Sequence, residues 1–336
     1  MRLRHTTPDS RGIARTRRGR GYSYIESDGA PVDDPTRTRI RRLAIPPAWQ
    51  SVWICPYSNG HIQAVGLDAA GRKQYIYHEQ WRSERDREKH DRALRLGARM
   101  PKFRAEVDKD LRSRGISQKR AAAVALRLLD RGVFRVGGEK YAEDNGTYGV
   151  ATLLREHVRI SKDTIAFDFP AKGGIRRTTA VTDADLANAL RALRRNRHSS
   201  ERLLVYATAD ELRSITSDEV NARFKALVGQ RYSVKDLRTW NATVLAAVAF
   251  VDQERPHTKI ARSHAISEVM REVSKGLGNT PAIARKSYVD PRVVEAYAVG
   301  DTIAPAVRRA ALIVEPEEAR LTLERAVIRL IKRHRD

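Results

Sequence analysis

The chain has 336 residues, 41% of them hydrophobic, which is enough for a buried core in two domains or one large one. Its 64 Lys and Arg against 41 Asp and Glu leave a net charge of +23, most of the excess being arginine. That is more than solubility requires, so a polyanion is the expected partner; nucleic acid, whose phosphate oxygens suit the guanidinium fork, is favoured over a membrane surface.

Cys55 stands alone, which excludes an intrachain disulfide and a cysteine-based metal or redox centre. No apolar run approaches the roughly 20 residues of a bilayer span, and the N-terminus has no apolar signal core, so a cytoplasmic, nucleoid-associated location is expected. Residues 1–20 carry seven arginines and few apolar groups, and charge density predicts a disordered basic arm there. From Gly21 to about residue 84 short strand-like runs, YSYIES, SVWICPY, HIQAVGLD and KQYIYHE, alternate with Gly, Asp, Asn and Pro turns and predict a small β-rich N-terminal domain.

WRSERDREKHDRALRLGARM opens a helical regime over residues 85–336. Ser117 is a candidate cap for QKRAAAVALRLLDRG, and TDADLANALRALRR sets Leu186, Leu190 and Leu193 on one face. KDLRTWNATVLAAVAFVD is apolar nearly all round after Thr243, the mark of a buried helix. TIAFDFPAKGGIRRTTAV interrupts the helices as a hairpin with Lys172 at its tip, and Asp290-Pro291 reads as an N-cap followed by proline at the first helical position. The predicted fold class is thus α+β: a small β-rich domain and a larger, mostly helical domain with a β-hairpin insertion.

No GxxxxGK[ST], no GxGxxG after a strand, no HExxH, no EF-hand loop and no GxSxG occurs, so any reaction is expected to run without ATP or a metal. What remains is a set of cations and one tyrosine: Arg135 in FRVGGEKY, Lys172 on the hairpin tip, Arg238 in KDLRTWN and Tyr288 in ARKSYVDP. Such a set supplies what phosphoryl transfer needs: guanidinium forks for the non-bridging oxygens, a proton donor for the leaving oxygen, and a phenol as nucleophile.

KDLRTWNA, FRVGGEKYAEDNGTYGVATLLREHV, FDFPAKGG and LGNTPAIARKSYVDP, with PPAW and GRKQYIYH upstream, resemble the type IB DNA topoisomerases of the poxvirus and bacterial kind, in motif order, from about Gly21 to about Gly300. The resemblance implies Tyr288 as the nucleophile of a 3′-phosphotyrosyl link, Arg135 and Arg238 on the scissile phosphate, and Lys172 as the acid that protonates the 5′ oxygen. The remaining family position, often histidine, is Asn279 here, which can donate a hydrogen bond but carries no charge. The resemblance further implies that Gln74, Tyr75 and Tyr77 reach DNA from the N-terminal domain and Lys140 and Tyr141 from the catalytic one. It also implies that the two domains form a C-shaped clamp on double-stranded DNA, as a monomer.

Two other readings share some of these features. A tyrosine site-specific recombinase has the same nucleophile and cations but usually a helical N-terminal domain and a histidine where this chain has Lys235. A non-catalytic basic DNA-binding protein would keep the charge and a vestigial site.

Overall fold

The computed structural model of the chain describes residues 1–132, 134–195, 201–255 and 257–335, the side chains of Lys140 and Tyr141 being outside the described set. It divides into two compact units, residues 1–88 and 89–336, where the sequence places the change at residue 84.

The first unit is built on a five-stranded antiparallel sheet in the order β2-β1-β3-β4-β5, with β1 Ile13–Arg18, β2 Gly21–Ile25, β3 Gln50–Ile54, β4 Ile62–Leu67 and β5 Lys73–Tyr77. Helix α1, Asp34–Arg42, starts on Asp33, whose carboxylate accepts from Thr36 N, and has Pro35 in its first turn. Its Ile40 packs with Ile13, Val32, Val52, Ile54 and Ala64 in a small core. Arg39 crosses this core to donate to Cys55 O at 2.6 Å and Gln63 Oε1 at 2.8 Å, and the Cys55 thiol is buried.

Residues 1–20 are not the disordered arm that their charge predicts. Ala14 to Arg18 pair with Gly21 to Ile25, Ile13 pairs with Ile54, and Ile13 is only 1% exposed. Backbone ladder bonds are indifferent to side-chain charge, and Arg15 finds acceptors in the carbonyls of Pro46 at 3.1 Å and Trp49 at 2.5 Å.

The second unit begins inside helix α2, Glu79–Gly97. There follow α3 Met100–Leu111, α4 Gln118–Asp130 and α5 Glu139–Asn145, then a three-stranded antiparallel sheet of β6 Val158–Ser161, β7 Thr164–Pro170 and β8 Arg176–Thr182. Helix α6, Ala184–Arg195, leads to a two-stranded ribbon, β9 Val205–Ala207 and β10 Leu212–Ser214. The remainder is helical: α7 Ser217–Val228, α8 Val234–Ala249, α9 Lys259–Leu277, α10 Pro281–Ser287, α11 Pro291–Ala298, α12 Ala304–Ala310 and α13 Pro316–Arg333.

Ser117 caps α4 as predicted, accepting from Arg120 N at 3.2 Å, and α4 is buried from Arg120 to Asp130. Leu186, Leu190 and Leu193 point into the same core, as do Leu237 and Trp240 of α8. Beneath this core runs a chain of buried charges. Arg104 on α3 donates to Asp130 at the end of α4 at 2.8 Å and to Glu324 on α13 at 2.6 and 2.9 Å, and Arg320 of α13 donates to Asp130 at 2.8 and 2.9 Å. The terminal helix is thus tied through ion pairs to the end of α4, which leads toward Arg135.

Candidate active site

Arg135 lies on the stretch between α4 and α5, and its position is set by two neighbours. Phe134 is buried in the core, its ring 4.8 Å from Phe167 and stacked at 5.8 Å on Phe169, both residues of strand β7. On the other side the segment docks on residues 149–151: Val150 N donates to Arg135 O and Ala151 N to Val136 O, each at 2.8 Å. Gly137, with φ +79°, lies backbone to backbone against Gly149, an approach that leaves no room for a Cβ on either.

Arg238 sits in the first turns of the buried helix α8 and is 8% exposed. Its guanidinium donates to Phe134 O at 3.2 Å and to Leu277 O, while Nε has no partner among the described residues. Arg135 donates to Gly278 O at 3.2 Å. Both cations are therefore aimed by carbonyls rather than neutralised by carboxylates; among the described residues neither has an ion-pair partner.

Tyr288 closes α10 and is held from both sides. Thr243 on α8 donates to Tyr288 O at 3.3 Å and accepts from Asp290 N at 3.1 Å. Asp290 caps α11 through Arg292 N, with Pro291 at the first helical position as the sequence predicts, and the Arg292 guanidinium grips the same carboxylate at 2.7 and 2.9 Å. The phenol is half-buried, and the Arg238 guanidinium carbon lies 5.2 Å from its ring centre.

Burial alone pushes the Tyr288 phenol up, but the charges of Arg238 and then Arg135 outweigh it, so its pKa lies below the ordinary tyrosine value. Burial, followed by repulsion from Arg135, brings Arg238 down to about 10, so it stays charged at neutral pH. Arg135, Arg238 and Tyr288 together line a cleft of about 370 Å³, with Lys89, Arg92, Lys235 and Ser287 also in its wall. A phenol of lowered pKa beside two uncompensated guanidinium groups fits attack on a phosphodiester, because the cations that favour the phenolate also stabilise charge on the non-bridging oxygens.

The other predicted residues fall into four groups. Lys172 is on the exposed turn joining β7 to β8, closed by Gly174 N donating to Ala171 O at 3.0 Å, and is outside the lining of the cleft. Asn279 follows the α9 cap Gly278, one residue beyond the carbonyl that Arg135 grips, and its Oδ1 and Nδ2 are both buried without a hydrogen-bond partner among the described residues. On β5, Tyr75 and Tyr77 are each 41% exposed and stack at 5.8 Å, forming one aromatic face. Strand alternation turns Gln74 to the other face, where its amide donates to Asp68 at 2.8 Å. The side chains of Lys140 and Tyr141 lie outside the described residues.

One cation escaped the sequence reading. Arg177 on β8 is half-buried, and its guanidinium donates to Gly276 O at 2.6 Å, next to the carbonyls held by Arg238 and Arg135. The available signal was strand period: Arg177, Thr179 and Val181 alternate with the exposed Arg176, Thr178 and Ala180, which puts an arginine on the packed face.

No helix among the described residues is long and apolar enough to cross a membrane. Residues 78–301 match the family described as the catalytic core of eukaryotic DNA topoisomerase I, and residues 21–68 match the N-terminal domain of bacterial DNA topoisomerase IB. DNA topoisomerase 1B of Acanthamoeba polyphaga mimivirus is 28% identical over 295 residues, covering 85% of this chain and 87% of that protein. DNA topoisomerase 1B of vaccinia virus (strain Copenhagen) is 22% identical over 238 residues, 69% of this chain and 71% of the viral one. DNA topoisomerase 1 beta of Arabidopsis thaliana is 26% identical over 242 residues, 68% of this chain but 24% of the plant protein. With a catalytic-core match across more than half of its length and a bacterial-type N-terminal match before it, the chain belongs to the type IB DNA topoisomerase family.

Proposed function

We propose that the protein relaxes positive and negative DNA supercoils by transient cleavage of one strand, rotation and religation. The observation that carries this reading is the convergence of Tyr288, Arg238 and Arg135 in one cleft, with the phenol's pKa lowered by the two cations. Tyr288 Oη attacks the phosphorus; the P–Oη bond forms, the P–O5′ bond breaks, and the phenolic proton leaves to solvent. Lys172 protonates the departing O5′, leaving a 3′-phosphotyrosyl link and a free 5′ hydroxyl. Arg135, Arg238 and the Asn279 amide hold the non-bridging oxygens, each such donor being worth about 10² to 10³ in rate, and the acid about 10² to 10⁴. One phosphodiester replaces another, so reversal needs no external energy, and neither ATP nor a metal enters the balance. Torque in the DNA drives the rotation, which is why both signs of supercoil are relaxed.

The protein acts on duplex DNA as a monomer, in the cytoplasm on the nucleoid, with Tyr75 and Tyr77 meeting the duplex from the first unit. The test is supercoiled plasmid in EDTA without ATP, beside Tyr288→Phe. Relaxation by the wild type alone, with denaturant trapping protein on the 3′ end, is the expected result. No relaxation, equal relaxation by the Phe variant, or a 5′ linkage refutes the mechanism. Strand exchange between two paired sites would mark a recombinase, and binding without cleavage a non-catalytic DNA-binding protein.

A further inference from the structure

The last carbonyls of a helix have no partner inside it and lie at the negative end of its dipole. At the end of α9 three consecutive carbonyls are each taken by a different arginine from a different part of the chain. Gly276 O accepts from Arg177 on β8 at 2.6 Å, Leu277 O from Arg238 on α8, and Gly278 O from Arg135 at 3.2 Å. None of the three has a carboxylate partner among the described residues, and repulsion from Arg135, after burial, lowers the pKa of Arg177. The approach is close: a Cβ on Gly278 would lie 3.2 Å from the Arg177 guanidinium carbon.

Arg238 and Arg135 border the cleft with Tyr288, but Arg177 does not line it. Arg177 instead belongs to the hairpin that carries Lys172, five residues further on, in register with Phe169 and on the strand face opposite the exposed Arg176–Asp168 ion pair. It is thus a polar tie from the Lys172 hairpin to the helix end that also aims the two phosphate-binding arginines and presents Asn279.

We propose that Arg177 is a positioning residue: its bond to Gly276 O latches the β7–β8 hairpin to the C-terminus of α9 and so sets where Lys172 meets the leaving 5′ oxygen. This rests on the reading of Lys172 as the acid. It predicts a defect confined to the proton-delivery half of the reaction. A 5′ oxygen needs a proton as it leaves, whereas a sulfur in the same bridging position departs as a thiolate and needs none.

The experiment measures single-turnover cleavage of one duplex with oxygen and the same duplex with sulfur at the bridging 5′ position. The enzymes are wild type, Arg177→Ala, Arg177→Gln, Lys172→Ala and Arg238→Ala. A displaced acid costs on the order of 10²-fold in rate, so Arg177→Ala is expected to lose about that on the oxygen substrate. It should regain most of the loss on sulfur, as Lys172→Ala is also expected to, while Arg238→Ala is expected to regain none. Arg177→Gln, which keeps one amide donor for Gly276 O, carries the same comparison if the alanine variant does not fold. Wild-type cleavage of the oxygen substrate by Arg177→Ala, or an equal loss on both substrates, overturns the latch and leaves the role of Lys172 standing. A Lys172→Ala defect that sulfur does not relieve overturns the acid assignment itself, and the latch with it.

Discussion

Replacing Gly149 by alanine puts a methyl group where the structure has backbone. The new Cβ would stand 2.5 Å from Gly137 Cα and 2.7 Å from Arg135 O, against an ordinary contact of at least 3.4 Å. The φ of Gly149 is −133°, which alanine adopts freely, so the effect is purely one of contact. Neither neighbour is a side-chain tip that can swing aside, and with Gly137 N nearer still, relief requires the Arg135–Gly137 segment to move by about 1 Å. That displacement also strains the two 2.8 Å bonds that dock Arg135 and Val136 on residues 150 and 151. Misplacing a catalytic group by about 1 Å costs on the order of 10²-fold in rate, or about 2.7 kcal/mol of barrier. The assay is single-turnover formation of the covalent protein–DNA adduct, with duplex affinity measured separately in a Tyr288→Phe background. Gly149→Ala is expected to slow adduct formation about 10²-fold while leaving affinity within about tenfold, because phosphate contacts are spread over many cations. Adduct formation at the wild-type rate would refute the claim that this glycine contact positions Arg135.

Asn279→Ala removes no hydrogen bond to the described residues of the free protein, since both amide atoms lack partners among them. Cleavage is expected to fall by about 10² to 10³ while the melting temperature is unchanged or higher, and a large loss of stability would contradict this. With Tyr288 as the proposed nucleophile, the reactive form would be the phenolate, and because its pKa lies below the ordinary value the cleavage rate is expected to reach its plateau at lower pH than a free tyrosine would allow. Arg238→Ala removes the stronger of the two lowering charges and is expected to move the rising limb of the pH–rate profile upward; an unmoved limb would show that the arginine does not act on the phenol. Arg104→Met takes one of two guanidinium partners from Asp130 and Glu324, each 1% exposed, leaving both to Arg320 alone, and is expected to cost about 3 kcal/mol by denaturant unfolding. Asp130 is held at about 2 by Arg320 and Arg104 against the opposing pull of burial. Its contribution is therefore fully present above about pH 4 and is lost as pH falls toward 2, which acid titration of the wild type reads directly.

Much of the architecture follows from local pattern. Alternating apolar residues with Gly and Asn turns specify the strands around Tyr75, and 3.6-residue spacing of leucines specifies α6, because in each case one face must leave water. Ser117 and Asp290 mark helix starts from their own side chains, since the acceptor and its donor are two or three residues apart. The failure at residues 1–20 has the complementary cause: charge counts report solvation, and Ile13 and Ala14 find their strand partners in β3, roughly forty residues later. Likewise the sequence determined which residue types are available for phosphoryl transfer, and motif order singled out Tyr288, Arg135, Arg238, Lys172 and Asn279 as the candidate set. It was silent on what aims them. That Arg177, Arg238 and Arg135 share the three end carbonyls of one helix, that Arg135 is braced by a glycine pair, and that buried ion pairs tie α13 to Asp130 at the end of α4, was decided only in the tertiary structure. Those contacts join residues 12 to 220 positions apart, and neither hydrophobic period nor side-chain chemistry carries information over such separations.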